Sequence, residues 1–168
     1  MARVAAASLT ERGTDVSFHD LRDYELEFCG LPSARQNPVV EKIRNEIREA
    51  QAILMAAPVY NFYVNAAAKN LVELTGGAWE NKLVGFMCAA GGRASYMSVM
   101  NIANSLMLDF RCLIIPRFVY AMGGDFENDR TEKMAVGPGE LQDRIDGLAQ
   151  VTMDLGRAVD PVLSGLDG

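Results

Sequence analysis

Two uninterrupted apolar runs constrain this chain more than any other feature. Residues 52–57 read AILMAA and residues 82–90 read KLVGFMCAA. A strand with one wet face alternates apolar and polar residues, whereas a strand covered on both faces has no such need. Both runs are far shorter than the roughly 20 apolar residues of a membrane-spanning helix. They therefore predict inner strands of a parallel sheet covered by helices on both sides. A third run, CLIIPRFVY at 112–120, carries Pro116. Proline removes a ladder donor, so this run predicts an edge strand.

The segments between the runs have helical spacing. Residues 2–12 form a predicted helix that Gly13 ends, because glycine accepts the left-handed closing position. Asn37 caps and Pro38 opens a helix over 38–50, with Val40, Ile43, Ile47 and Ala50 on one face. Pro58 closes the AILMAA run. Val64, Ala67, Ala68, Leu71 and Val72 mark the next helix, ended by Gly76-Gly77. After Gly91-Gly92-Arg93, a buried stripe runs through Val99, Ile102, Ala103 and Leu106. Leu141, Ile145, Leu148 and Leu155 mark a last helix before Pro161. Near the start, residues 15–21 (DVSFHDL) place Val16 and Phe18 on one face, the pattern of a half-buried strand. Residues 22–36 and 122–139 read as loops. This alternation predicts an α/β fold: a doubly wound parallel sheet, three layers deep, in a single domain over 1–168.

Composition fits that reading. Of 168 residues, 49% are hydrophobic and 23% charged, as in ordinary globular proteins. The net charge of −6, without any basic run, argues against a nucleic-acid partner. No stretch suggests a membrane partner, and MARVAAASLTERG does not read as a signal peptide. Cys29, Cys88 and Cys112 are an odd number at wide spacing. They read as reduced core residues of a cytoplasmic protein.

In an open parallel sheet, ligands sit beyond the carboxyl ends of the strands. Two segments fall there. Pro58-Val59-Tyr60-Asn61-Phe62-Tyr63 follows the first run and offers flat rings. Ala90-Gly91-Gly92-Arg93-Ala94-Ser95-Tyr96 follows the second, and its glycines allow close approach to the main chain. Both read as turns into helices. A planar heterocycle with a polar edge would satisfy both, its faces on aromatic rings and its carbonyls on backbone amides. An aromatic cluster at a subunit interface is the alternative reading.

Pro58-Val59-Tyr60-Asn61, followed by Lys69-Asn70 and by the Gly91-Gly92-Arg93 turn, resembles the NADPH-dependent FMN reductase family of the flavodoxin-like fold. The resemblance runs from residue 1 to about 160. It implies that Pro58, Val59, Tyr60, Asn61 and Phe62 line the flavin ring of FMN. It also implies that Ala90, Gly91, Gly92 and Arg93 flank the ring's pyrimidine end. The implied activity is hydride transfer from NADPH or NADH through the flavin to a small acceptor, such as a quinone or a free flavin. No catalytic side chain is implied, since the flavin carries the chemistry. A homodimer or homotetramer is the implied assembly.

The chain departs from the family pattern at its start. The family opens with an apolar strand and a Ser-rich turn for the FMN phosphate, and this chain has neither. The fold expected is therefore flavodoxin-like with the N-terminal strand missing. Its absence would separate DVSFHDL from AILMAA and leave a buried, unpaired row of backbone groups, each costing about 1–3 kcal/mol. A late start and a shortened relative both account for this. The second makes the chain a flavodoxin-like oligomeric or binding module that no longer holds FMN.

Other features read blandly. His19 falls on the outward phase of DVSFHDL and reads as a surface residue. Glu41, Glu46 and Glu49 lie among Lys42, Arg44 and Arg48, a solvated helix face. Asp125, Glu127 and Asp129 lack calcium-loop spacing. Trp79 reads as a packing or subunit-contact residue, and Met97, Met100 and Met107 as core or interface. Arg93 has two open readings, a cofactor contact or an acid's partner.

Overall fold

A computed structural model describes residues 1–166 and alternates helix with strand. The helices are α1 (Ala2–Glu11), α2 (Pro38–Glu49), α3 (Ala66–Thr75), α4 (Met100–Phe110) and α5 (Glu140–Leu163). The strands are β1 (Ala52–Tyr60), β2 (Tyr63–Val64), β3 (Leu83–Ala90), β4 (Leu113–Ile114) and β5 (Val119–Met122). The sheet runs β2-β1-β3-β4, and β5 also pairs with β3. All pairs are parallel except β1 with β2.

The side chains of β3 explain the three layers. Val84, Phe86 and Cys88 join Ile43, Val72, Ile102 and Leu106 in one core, under α2, α3 and α4. Leu83 and Met87 join Ala5, Ile145 and Leu148 in the other, under α1 and α5. Both faces are therefore apolar, as the KLVGFMCAA run requires. Gly85 lies between Leu83 and Met87. A Cβ built there would stand 2.7 Å from Leu54 Cδ2 and 3.3 Å from Leu148 Cδ1. A side chain there would press on Leu54 of β1 and Leu148 of α5.

Asn37 caps α2 as expected, its Oδ1 accepting from Val39 N–H at 2.9 Å. Four other expectations are corrected by the structure. β1 does not stop at Pro58 but continues to Tyr60. Pro58 stays in register with Ala89, and its carbonyl accepts from Asn65 N–H at 3.0 Å. Val64 belongs to β2, not to the following helix. The run 112–120 is split: Pro116 interrupts it, leaving β4 and β5 on the same edge of β3. Pro161 does not follow the last helix but lies inside its final turn. Of the cysteines, Cys88 and Cys112 are core residues, and burial pushes both thiols up to about 11. Cys29 is half-buried against a small satellite cluster.

The largest correction concerns DVSFHDL. Residues 14–20 join no ladder. Over 52–57 the edge of β1 facing away from β3 has no strand partner among the described residues. The alternation is present, but alternation needs a neighbouring strand to become a sheet. The free row is not wholly buried, as expected, but partly open: Ala52, Ile53 and Leu54 are half-buried, Ala56 is exposed, and Met55 and Ala57 are buried. Water can serve the open part, which removes part of the penalty.

Side chains hold residues 14–20 instead. The Arg3 guanidinium lies 5.0 Å from the centre of the Phe18 ring. His19 is no plain surface residue. Its Nδ1 meets Tyr24 Oη at 2.9 Å and its Nε2 meets Glu46 Oε2 at 2.5 Å. Asp20 pairs with Arg22 at 2.6 Å.

Two tests follow from this packing. Gly85→Ala should cost about 1–3 kcal/mol through overpacking, read as a lower denaturant midpoint. Acid should release residues 14–20 before the sheet. The Arg22 hydrogen bond and charge hold Asp20 down at about 2. Burial opposes ionisation of Glu46, but His19 and Lys42 outweigh it and its pKa is lowered from 4.5. Both ties are thus at full strength above the ordinary carboxylate range and are lost as pH falls toward 2. Amide exchange should accelerate over 14–20 in that window while β3 keeps its protection. Equal loss in both places would contradict this.

Candidate cofactor site

The register of β1 and β3 sets the geometry at the carboxyl edge of the sheet. Pro58 lies opposite Ala89 in a parallel ladder. Neighbouring strands are about 4.8 Å apart, so the chain leaves both strands at one place. From β1 it enters a two-residue hairpin rather than the expected turn into a helix. Tyr60 pairs with Tyr63, and between them Asn61 and Phe62 have φ of 49° and 63°. Two left-handed central residues are the mark of a type I′ turn. Asparagine suits the first position, but the second favours glycine. A phenylalanine there costs roughly 1–2 kcal/mol.

That cost has a structural consequence. Val59 and Val64, below the turn, are buried in the core. Tyr60 and Phe62, above it, are 63% and 50% exposed. The buried pair fixes the base of the hairpin while the strained turn lifts two rings toward solvent. Strain of this kind persists only where the surroundings over-determine it, and it concentrates at functional sites.

From β3 the chain enters Gly91 and Gly92, both exposed. A Cβ at either would meet nothing within 4 Å, so the main chain borders open space. Arg93 then opens a 3₁₀ segment, Arg93–Val99, against which the hairpin packs. Arg93 is exposed and has no ion-pair partner among the described residues. In the same segment Tyr96 is half-exposed, and Ser98 Oγ is buried without a hydrogen-bond partner.

The residues expected from the sequence thus meet on one ledge: Pro58 to Phe62 on one side, Ala90 to Arg93 on the other. Val59 contributes only main chain, since its side chain faces the core. Lys69 and Asn70 do not join the ledge's chemistry. Lys69 pairs with Glu73 at 2.7 Å. Asn70 is buried, accepts from Cys29 N–H at 2.8 Å and donates to Glu27 O at 3.0 Å, stapling loop 22–36 to α3. Trp79 is a packing residue, 1% exposed, with Nε1 donating to Thr75 Oγ1 at 2.7 Å. Sequence reasoning missed Tyr120, whose hydroxyl donates to the Gly92 carbonyl. The contact spans 28 residues of chain, and no local pattern announces it.

Enclosed space lies elsewhere. A cavity of about 160 Å³ is lined by Arg48, Lys82 and Asp160 among others, at the opposite end of β3. One of about 240 Å³ lies between 124–127 and 137–141. Neither touches the two turns.

Residues 1–127 match the NADPH-dependent FMN reductase family. The chain belongs to that family. It is 29% identical over 137 residues to an NAD(P)H-dependent FAD/FMN reductase of Geobacillus thermodenitrificans, covering 80% of this chain and 72% of that one. It is 33% identical over 108 residues to an NADPH:quinone oxidoreductase of Arabidopsis thaliana, covering 62% of this chain and about half (53%) of the plant protein. Among solved structures, the NAD(P)H:acceptor flavoenzyme FerB of Paracoccus denitrificans superposes with a TM-score of 0.68 at 15% identity. That alignment covers 94% of this chain and 90% of FerB. The fold is flavodoxin-like, and the family's chemistry is NAD(P)H-dependent flavin oxidoreduction with FMN as cofactor.

Two exposed rings and an open Gly-Gly main chain are the features that a flat ring with a polar edge, such as that of FMN, requires. At the start of α1 the Arg3 side chain lies against Phe18 and Asp20.

The strain at Phe62 is testable without any ligand. Phe62→Gly should raise stability by about 1 kcal/mol by relieving the left-handed conformation. Thermal or urea unfolding reads this directly, and a loss of stability would show that the Phe62 ring holds the hairpin together.

Proposed function

We propose that the ledge formed by Pro58, Val59, Tyr60, Asn61 and Phe62 with Ala90, Gly91, Gly92 and Arg93 holds the flavin ring of FMN. NADPH or NADH reduces it, and the acceptor is a small planar molecule, a quinone or a free flavin. The observation that carries this reading is the strained hairpin beside the open glycine turn. When bound, FMN would supply the redox chemistry, a hydride from the nicotinamide passing on to the acceptor as electrons. The chain's residues do the rest. Tyr60 and Phe62 present apolar faces to a flat ring. The main chain at 91–93 lets a polar ring edge approach amides that no side chain covers. A preorganised amide facing developing negative charge contributes about 3 kcal/mol in comparable sites. No side chain is needed as acid or base, and His19 is already engaged with Tyr24 and Glu46.

The exposed rings of the ledge support a homodimer or homotetramer in which a second copy covers them. Tyr60, Phe62, Tyr96 and Met97 are all about half exposed or more, and an apolar cluster of this kind favours cover. No helix among the described residues is long and apolar enough to cross a membrane. Together with the charge of −6, this supports a cytoplasmic enzyme acting on small molecules, without nucleic-acid or membrane partners.

The exposed apolar cluster of Tyr60, Phe62, Tyr96 and Met97 favours a second reading, a flavodoxin-like binding or oligomerisation module without FMN. Titration of the purified chain with FMN and with riboflavin separates the two. The enzyme reading expects uptake of both, with NAD(P)H oxidation once flavin is present. Phe62→Ala should weaken both by about tenfold through lost stacking. Failure of either flavin to bind would leave the module reading.

A further inference from the structure

We propose that Tyr120 is a positioning residue that aims the Gly92–Arg93 peptide at the bound ligand; the ligand's identity as flavin rests on the reading above. Tyr120 stands on β5, beside Cys88 in the parallel ladder. It is 9% exposed and belongs to the same core cluster as Val59 and Val64. Three contacts fix it. Its carbonyl accepts from Arg144 Nη1 of α5 at 3.1 Å. Its ring meets Tyr96 edge-on, with centroids 5.5 Å apart at 70°. Its hydroxyl donates to the carbonyl of Gly92.

The third contact matters because little else shapes the turn. Gly91 and Gly92 have no side chains and no packed neighbour where a Cβ would stand. No side chain caps the 3₁₀ segment at Gly92. A glycine pair with that freedom would sample many orientations. The Tyr120 hydroxyl removes the freedom at one peptide plane. In a trans peptide the carbonyl and the following N–H point in opposite directions. Holding the Gly92 carbonyl toward β5 therefore turns the Arg93 N–H away from it. Arg93 opens the 3₁₀ segment, and the first N–H groups of such a turn have no acceptor within it. The result is a free, oriented donor on the ledge, set by a buried residue that does not itself face the ligand.

Tyr120→Phe tests this, since it keeps the ring and its contact with Tyr96 and deletes only the tether. Amide exchange over 91–95 in the ligand-free protein should accelerate about tenfold, the cost of one lost hydrogen bond, with β3 unchanged. Unchanged exchange would overturn the proposal, whatever the protein binds. In the flavin-bound protein the variant should hold oxidised FMN a few-fold more weakly and reduced FMN about tenfold more weakly still. That difference lowers the midpoint potential by about 30 mV. A purely structural role for Tyr120 would weaken both forms alike and leave the potential in place, which would also overturn the aiming role. If the wild-type chain takes up no flavin, the flavin reading falls while the exchange comparison still decides the tether.

Discussion

The parallel ladder between β1 and β3, from Ala52 opposite Leu83 to Pro58 opposite Ala89, is the contact on which the rest depends. β3 is the strand to which β1, β4 and β5 all attach. It carries both hydrophobic cores, one on each face. Its register also ends the two strands level, which places the hairpin and the glycine turn side by side. A slip of one residue would exchange the faces of β1. Met55, Ala57 and Val59 would leave the core they share with α2 and α3. The same apolar patterning that stabilises the sheet therefore also locates the candidate cofactor site.

Magnitudes show why this framework tolerates a strained turn. A fully buried side chain the size of Phe86, Ile102 or Leu106 contributes about 1.5–3 kcal/mol. Each of these three is completely buried. The left-handed Phe62 costs roughly 1–2 kcal/mol, less than one such residue supplies. The strain also lies outside the core, anchored from below by Val59 and Val64. Relief by flattening the turn would pull those two valines out of register, which costs more than the strain.

What was legible in the sequence was whatever depends on local pattern. The runs AILMAA and KLVGFMCAA identified two strands, and KLVGFMCAA an inner one, because burial on both faces leaves a continuous apolar signature; AILMAA has the same signature but an open outer edge over 52–57. Asn37-Pro38 identified the start of α2 because capping and a fixed φ are local chemistry. Pro116 warned of an interrupted edge for the same reason. What was illegible depends on neighbours. DVSFHDL alternates like a strand, yet has none to pair with, so side-chain ties from Arg3 and Glu46 replace the ladder. The hairpin was hidden because Asn-Phe is not the Asn-Gly that such turns favour. The Lys69-Asn70 pair marked the family correctly but not its role, since Asn70 spends its amide on loop 22–36.

The candidate site is built from elements fixed by the β1–β3 register, so its geometry comes with the fold itself. A flavin ring there would gain apolar cover from Tyr60 and Phe62 and a polar contact from the glycine turn. A hydrogen bond to a charged group contributes about 1.5–3 kcal/mol only where donor and acceptor are aligned, which sets the demand on the orientation of the few groups present there. A turn made of two glycines can supply that orientation only if something outside it holds it in place. The buried tyrosine of β5, itself held by α5 through Arg144, is placed to do so. Cofactor affinity would then depend on packing between β5 and α5, elements that contribute no residue to the ledge.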